Sequence, residues 1–195
     1  MKVLLTAFEP FRGRVKNGSE EILNILEEKN IPEVQYVKVP VSYDEAFKAV
    51  EKRILIEKPD FIIALGESQR EALYFEALAF NQMHSKSSDN SGQIYELMTI
   101  DQQKSWILES HWNINELNGF FKESPYPFDI SFHAGTYVCN RLYFDLLVNE
   151  EKYKYRACFI HCPLYKSCEE TKAQTEGIYR FILTLKEKKN VFIRN

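Results

Sequence analysis

Two residues of this chain have the type and position to do chemistry together. Cys139 lies in the stretch HAGTYVCN (133–140), between FDISFHA, an apolar strand pattern, and NRLYFDLLV, where Leu142, Leu146 and Leu147 recur at helical spacing. A thiol at such a helix start feels unpaired backbone N–H groups and partial positive charge, a setting that can lower a thiol pKa. The plainer alternative is a buried structural cysteine. His161, in FIHCP, stands at the carboxyl end of an apolar strand just before Pro163 stops it, and ligands collect at such ends in open α/β sheets. Because Cys139 follows one late strand and His161 ends the next, both are expected at the same edge of the sheet. An imidazole that takes the thiol proton is the requirement of thiol catalysis, and a carboxylate that orients the imidazole completes the set. Spacing leaves that acid open among Glu67, Glu71, Glu76 and Asp89.

The remaining thiols and imidazoles fit less well. Cys162 should point to the opposite face of the strand from His161, and Cys158 reads as core. Cys168 precedes a helix, so the same dipole argument keeps it as an alternative. His84, His111 and His133 have no comparable partner pattern and read as surface or structural. Cys158, Cys162 and Cys168 lack the paired spacing of a zinc site, so no metal is expected.

The elements that must position these groups alternate. KVLLTAF is a short apolar strand. SEEILNILEE (19–28) is a helix with Ser19 as expected N-cap, and VQYVKVPV (34–41) is a strand. SYDEAFKAVEKRILIEK reads as a helix opened by a capping box of Ser42 and Glu45, and DFIIALG as a buried strand closed by Gly66. EALYFEALAFNQ (71–82) fits a strand but leaves a helix open. SKSSDNSGQ (85–93) is a polar loop or hairpin tip, and Tyr95 to Tyr126 has weak periodicity. FDISFHA, the helix after Cys139, YRACFIHCP (155–163) and a helix from about Glu169 to Lys186 resume the alternation. The order predicts a largely parallel sheet with helices on both sides, in a single domain spanning 1–195.

Composition agrees with that class. Of 195 residues, 45% are apolar and 27% charged, with a net charge of −3. No basic face is evident to neutralise phosphates, which argues against nucleic acid as partner, and the Lys-rich KEKKN (186–190) reads as a solvated helix end. No apolar run approaches membrane-spanning length, and MKVLLTAF lacks a signal-peptide pattern, so a cytoplasmic chain with four reduced cysteines is expected.

One loop stands apart: AFEPFRG (7–13) sets two phenylalanines around a proline after the first strand, a candidate aromatic wall for a small flat ligand group. With it, the chain resembles the pyroglutamyl peptidases, also called pyrrolidone-carboxylate peptidases, a family of cysteine peptidases. Their G-F-x-P-F-G-G is similar to AFEPFRG, their E-R-x-A-x-N to EALAFN (76–81), their S-A-G-x-Y-x-C-N to HAGTYVCN, and their F-I-H-x-P to FIHCP. The four blocks fall in order along almost the whole chain, and only about Ile94 to Pro127 diverges.

The resemblance implies Cys139 as nucleophile, His161 as general base and Glu76 as orienting carboxylate, with Phe8, Phe11 and Asn17 around the lactam ring of the substrate. It also implies a three-layer α/β/α sandwich around a mostly parallel twisted sheet with an antiparallel hairpin, no cofactor, a homotetramer, and removal of N-terminal pyroglutamate (5-oxoproline) from peptides. A neutral lactam suits apolar walls and backbone hydrogen bonds rather than an anionic anchor. Several positions depart from the family pattern: Ala7 and Arg12 replace glycines, Lys86 replaces an arginine beside the site, Ala77 replaces the arginine after the glutamate, and Gly18 replaces a proline. They leave two alternatives: a thiol hydrolase of the same fold with altered amide specificity, or a non-catalytic binding descendant.

Overall fold

The computed structural model describes residues 1–193, and the side chains of 188–192, which include most of KEKKN, lie outside the described residues. In chain order the elements are β1 (Val3–Phe8), α1 (Gly18–Glu28), β2 (Val34–Val39), α2 (Ala46–Glu57), β3 (Phe61–Ser68), β4 (Leu73–Glu76) and β5 (Leu78–Phe80). There follow β6 (Gln82–Met83), β7 (Met98–Thr99), β8 (Ile107–Glu109), α3 (Ile114–Lys122), β9 (Phe128–Ser131), α4 (Val138–Tyr153), β10 (Arg156–Pro163) and α5 (Cys168–Phe192).

Six strands form the main sheet in the order β2-β1-β3-β10-β4-β9. Pairings β1–β2, β1–β3, β3–β10 and β4–β9 are parallel, and β10–β4 is antiparallel. Side chains alternate between faces as strand geometry demands. Val3, Leu5 and Ala7 of β1 pack with residues of α1, α3 and α5, whereas Leu4 and Phe8 pack with α2 and α4. The result is the expected three-layer α/β/α sandwich. Two small antiparallel pairs, β5–β8 and β6–β7, lie beside the sheet.

Several local expectations are corrected. Asn17, not Ser19, caps α1: its Oδ1 accepts from the Ser19 N–H at 2.9 Å and the Ser19 hydroxyl at 2.7 Å. The Ser42–Glu45 capping box does not form, because the Ser42 hydroxyl is engaged with Ser91 and Glu45 pairs with Lys48. Gly66 does not close β3, which runs on to Ser68. The segment 71–82 is three short strands, and the opaque stretch after Tyr95 supplies β7, β8 and α3, with Trp112 fully buried.

The largest correction concerns the neighbour of β10. It is β4, antiparallel to it; β9 is the outer strand beyond β4 and runs opposite to β10. The carboxyl ends of β9 and β10 therefore do not share an edge, and Cys139 is positioned by another route.

Candidate active site

That route is the segment after β9. Gly135 turns with φ 82°, and Thr136 ties to His84 by two bonds: its Oγ1 donates to the His84 carbonyl at 2.8 Å and its carbonyl accepts the His84 N–H at 2.9 Å. Tyr137 is extended at the N-cap of α4, so Cys139 falls in the first helical turn. Buried Asn140 then fixes the helix start, accepting from the Phe80 N–H at 2.8 Å and donating to the carbonyls of Phe80 and Gln82. One turn later the buried Tyr143 hydroxyl donates to the Glu76 carbonyl at 2.8 Å.

The sulfur of Cys139 lies against β3 at Gly66, where a Cβ would sit 2.9 Å from Sγ and 2.7 Å from the Phe159 ring. Glycine is required there by this close approach. Gly66 is the register partner of His161 on β10. His161 alternates with Phe159 onto the sheet face that α4 covers, its ring 4.9 Å from the Phe159 ring, while Cys162 packs on the opposite face as expected.

His161 Nδ1 is 2.7 Å from Glu76 Oε1 at the end of β4. The Glu76 side chain is fully buried, and Arg70 Nη1 donates to the same oxygen at 3.3 Å while its Nη2 reaches the His133 carbonyl. The other three candidate acids are occupied elsewhere. Glu67 accepts from the backbone N–H groups of Gly18 and Tyr165 and from both terminal nitrogens of Arg14. Glu71 forms an exposed pair with Lys166, and Asp89 accepts backbone N–H bonds from Tyr43, Ser91 and Gln93.

Beside the sulfur opens a cavity of about 340 Å³, whose lining includes Phe8, Phe11, Arg12, Asn17, Tyr137 and Cys139. The volume is at the small end of ligand sites. Phe11 and Tyr137 rings stand 5.4 Å apart on its wall. Asn17 reaches the lining, but both ends of its amide are engaged within the protein, Nδ2 donating to the Glu9 carbonyl. Lys86 is exposed and lies outside the lining, as do Glu76 and His161.

Burial pushes the Cys139 thiol up to about 12, with the carboxylates of Glu76 and Glu67 adding to the rise; its own backbone N–H at the helix start acts the other way and is outweighed. Desolvation therefore outweighs the expected helix-start effect at this thiol. Cys158 and Cys162 are buried thiols raised for the same reason. Cys168 is exposed at the start of α5. Of the other imidazoles, His111 pairs with buried Glu150 at 2.6 Å, a contact that spacing did not reveal.

Sequence reasoning passed over Arg70, Asn140 and Tyr143. Arg70 and Tyr143 are remote from Glu76 by ordinary spacing rules, so no signal marked them. Asn140 is the exception, since a polar residue inside an apolar helix pattern asks for a buried partner.

A doubly wound sheet with a helix-start thiol and a buried imidazole–carboxylate pair on one face defines a hydrolase of the α/β class. A profile of the family described as pyroglutamyl peptidase matches residues 1–178. The chain belongs to the pyroglutamyl peptidase family. It is 33% identical over 168 residues to the pyrrolidone-carboxylate peptidase of Thermosipho africanus, covering 84% of this chain and 82% of that protein. It is 35% identical over 169 residues to pyrrolidone-carboxylate peptidase 2 of Caldanaerobacter subterraneus, covering 84% and 81%. The crystal structure of pyrrolidone carboxyl peptidase from Fervidobacterium islandicum AW-1 superposes with a TM-score of 0.86 at 27% identity, over 99% of this chain and 100% of that one. Pyroglutamyl peptidase I of Bacillus amyloliquefaciens gives 0.79 at 26% identity, over 91% and 95%.

Proposed function

We propose that this chain, acting as one catalytic domain, removes N-terminal pyroglutamate from peptides by way of a thioester on Cys139. The observation that carries the reading is the buried 2.7 Å pair of His161 and Glu76 on the sheet face that Cys139 shares. The lactam ring enters the cavity between Phe8 at the end of β1 and Phe11, with Asn17 holding the loop that carries Phe11. Cys139 Sγ attacks the carbonyl that joins pyroglutamate to the next residue while His161 takes the thiol proton. Glu76 holds the imidazole and stabilises its charged form, and the Cys139 backbone N–H faces the oxyanion. His161 then protonates the leaving amine, and water hydrolyses the thioester. No cofactor takes part.

Lys86 supplies positive charge near the mouth, in keeping with the family position it occupies, rather than a contact with the ring. The protein acts in the cytoplasm as a homotetramer, a reading that rests on the family resemblance and that light scattering checks; no described helix is long and apolar enough to cross a membrane.

Hydrolysis of a fluorogenic pyroglutamyl amide, beside proline and alanine amides, tests the proposal. Turnover of the first alone, lost in Cys139→Ser and retained in Cys168→Ser, is expected. Turnover of another amide alone favours the hydrolase of altered specificity, for which Arg12 in the cavity wall is the motive. Activity surviving in Cys139→Ser refutes the assignment of the nucleophile, and a binding descendant turns over none of the three.

A further inference from the structure

Arg12 occupies a place that does not follow from the reaction. Its backbone is left-handed, with φ 55°, and the next residue, Gly13, has φ 69°. An arginine in that region carries a steric cost that glycine would not. Its guanidinium lies 4.7 Å from the centroid of the Phe11 ring and donates to the Ser87 hydroxyl. Both Arg12 and Cys139 line the same cavity.

The surrounding charges make this cation available. Arg14, two residues on, is matched by the carboxylate of Glu67 with two hydrogen bonds, so that pair contributes no net charge. Arg12 has no carboxylate partner among the described residues, and neither has Lys86, which adjoins the Ser87 that Arg12 contacts. A chain of net charge −3 thus holds one unmatched cation, Arg12, in its cavity wall. Its position over the Phe11 ring and its one bond to Ser87 leave its other N–H groups free for a planar acceptor. Arg12 is exposed whereas Phe8 is buried, so the cation stands at the outer rim rather than in the apolar floor.

We infer that Arg12 is a specificity-determining residue that binds a carboxylate on the leaving side of the scissile bond. That carboxylate is either an acidic side chain following pyroglutamate or the terminal carboxylate of a dipeptide. The inference rests on the pyroglutamyl peptidase reading and names the substrate class of that site. A neutral pyroglutamyl ring offers no charge for a guanidinium to hold, so the partner must lie beyond the scissile bond.

Binding to the uncleaving Cys139→Ala protein, measured by calorimetry, separates the two readings. Three probes are compared: pyroglutamyl-glutamine amide, pyroglutamyl-glutamate amide and free-acid pyroglutamyl-glutamine. One or both carboxylate probes should bind about tenfold tighter than the neutral one, the scale of a charge-assisted bidentate contact. The two probes distinguish side-chain from terminal carboxylate. Salt near 1 M should shrink the gap, since the screening length falls to about 3 Å. Arg12→Gly suits the observed backbone angle, so it should fold and erase the preference, and Arg12→Lys should keep part of it. Equal binding of all three probes, or a preference that survives Arg12→Gly, overturns the inference. If the active protein cleaves none of the three while the binding preference holds, the peptidase reading fails and the anion site stands.

Discussion

At Cys139 two effects compete, and their relative size decides how the residue must work. The helix start favours the thiolate by at most about 2 kcal/mol, while desolvation beside two carboxylates lifts the thiol up to about 12. In the proposed mechanism the imidazole accepts the thiol proton and Glu76 supplies the negative charge that the imidazolium formed during attack needs. Glu76→Gln is nearly isosteric and keeps one oxygen for His161, yet removes that charge. The expected result is kcat lowered by roughly two to four orders of magnitude with KM little changed, read by steady-state hydrolysis of a pyroglutamyl amide. A kcat within twofold of the parent would mean the carboxylate does nothing for the imidazole. Cys139, His161 and the aromatic loop were legible at this scale because each carries a local signature: a thiol at a helix start, a histidine before a strand-ending proline, two phenylalanines around a proline. Among the four candidate acids spacing could not choose, because the selection is made by β4 pairing with β10, a contact between segments far apart in the chain.

At the scale of elements, the site depends on how closely α4 approaches β3. Gly66 permits that approach by leaving room for Cys139 Sγ and the Phe159 ring. In Gly66→Ala the new methyl would sit 2.9 Å from the sulfur and 2.7 Å from the ring. Overpacking of this kind costs about 1–3 kcal/mol, and here it would also displace Cys139, the proposed nucleophile. Urea unfolding should show the lost stability, and activity should fall even where the variant remains folded. Parental values in both would show that helix and strand can part without consequence. The strands and helices with clean periodicity were legible, with boundaries shifted by a few residues. The reversal at β4 and β9 was not. EALYFE has the apolar content of a strand, but strand direction is set by partners, and nothing local in its sequence states them. The capping error at α1 has a similar origin: Asn17 and Ser19 are both good N-caps, and the entry of the loop from Glu9 decided between them.

Across the whole molecule, two of the four thiols, Cys158 and Cys162, are buried and Cys139 is half-buried, and this sets an alkaline limit on stability. Cys139, Cys158 and Cys162 all have folded pKa values raised from an ordinary 9.0 by burial. Above that value the unfolded chain loses thiol protons that the folded chain retains, so the folded state binds more protons and stability falls with rising pH. Stabilisation from these thiols is complete below about pH 9. Each of the three then removes about 1.4 kcal/mol per pH unit, until its own folded value is reached. Urea midpoints should be level from about pH 7 to 8.5 and drop steeply toward pH 11, with a shallower drop in Cys139→Ala. A flat profile across that range would sink the argument. The strand order has an outcome of its own during synthesis. Strands β1, β2 and β3 can pair as soon as they leave the ribosome, but the second edge of β3 is filled only by β10. Until Arg156 to Pro163 emerge, that edge remains open to other chains. A nascent polypeptide stalled before this point would carry Cys139 without His161, chemically inert and prone to aggregate.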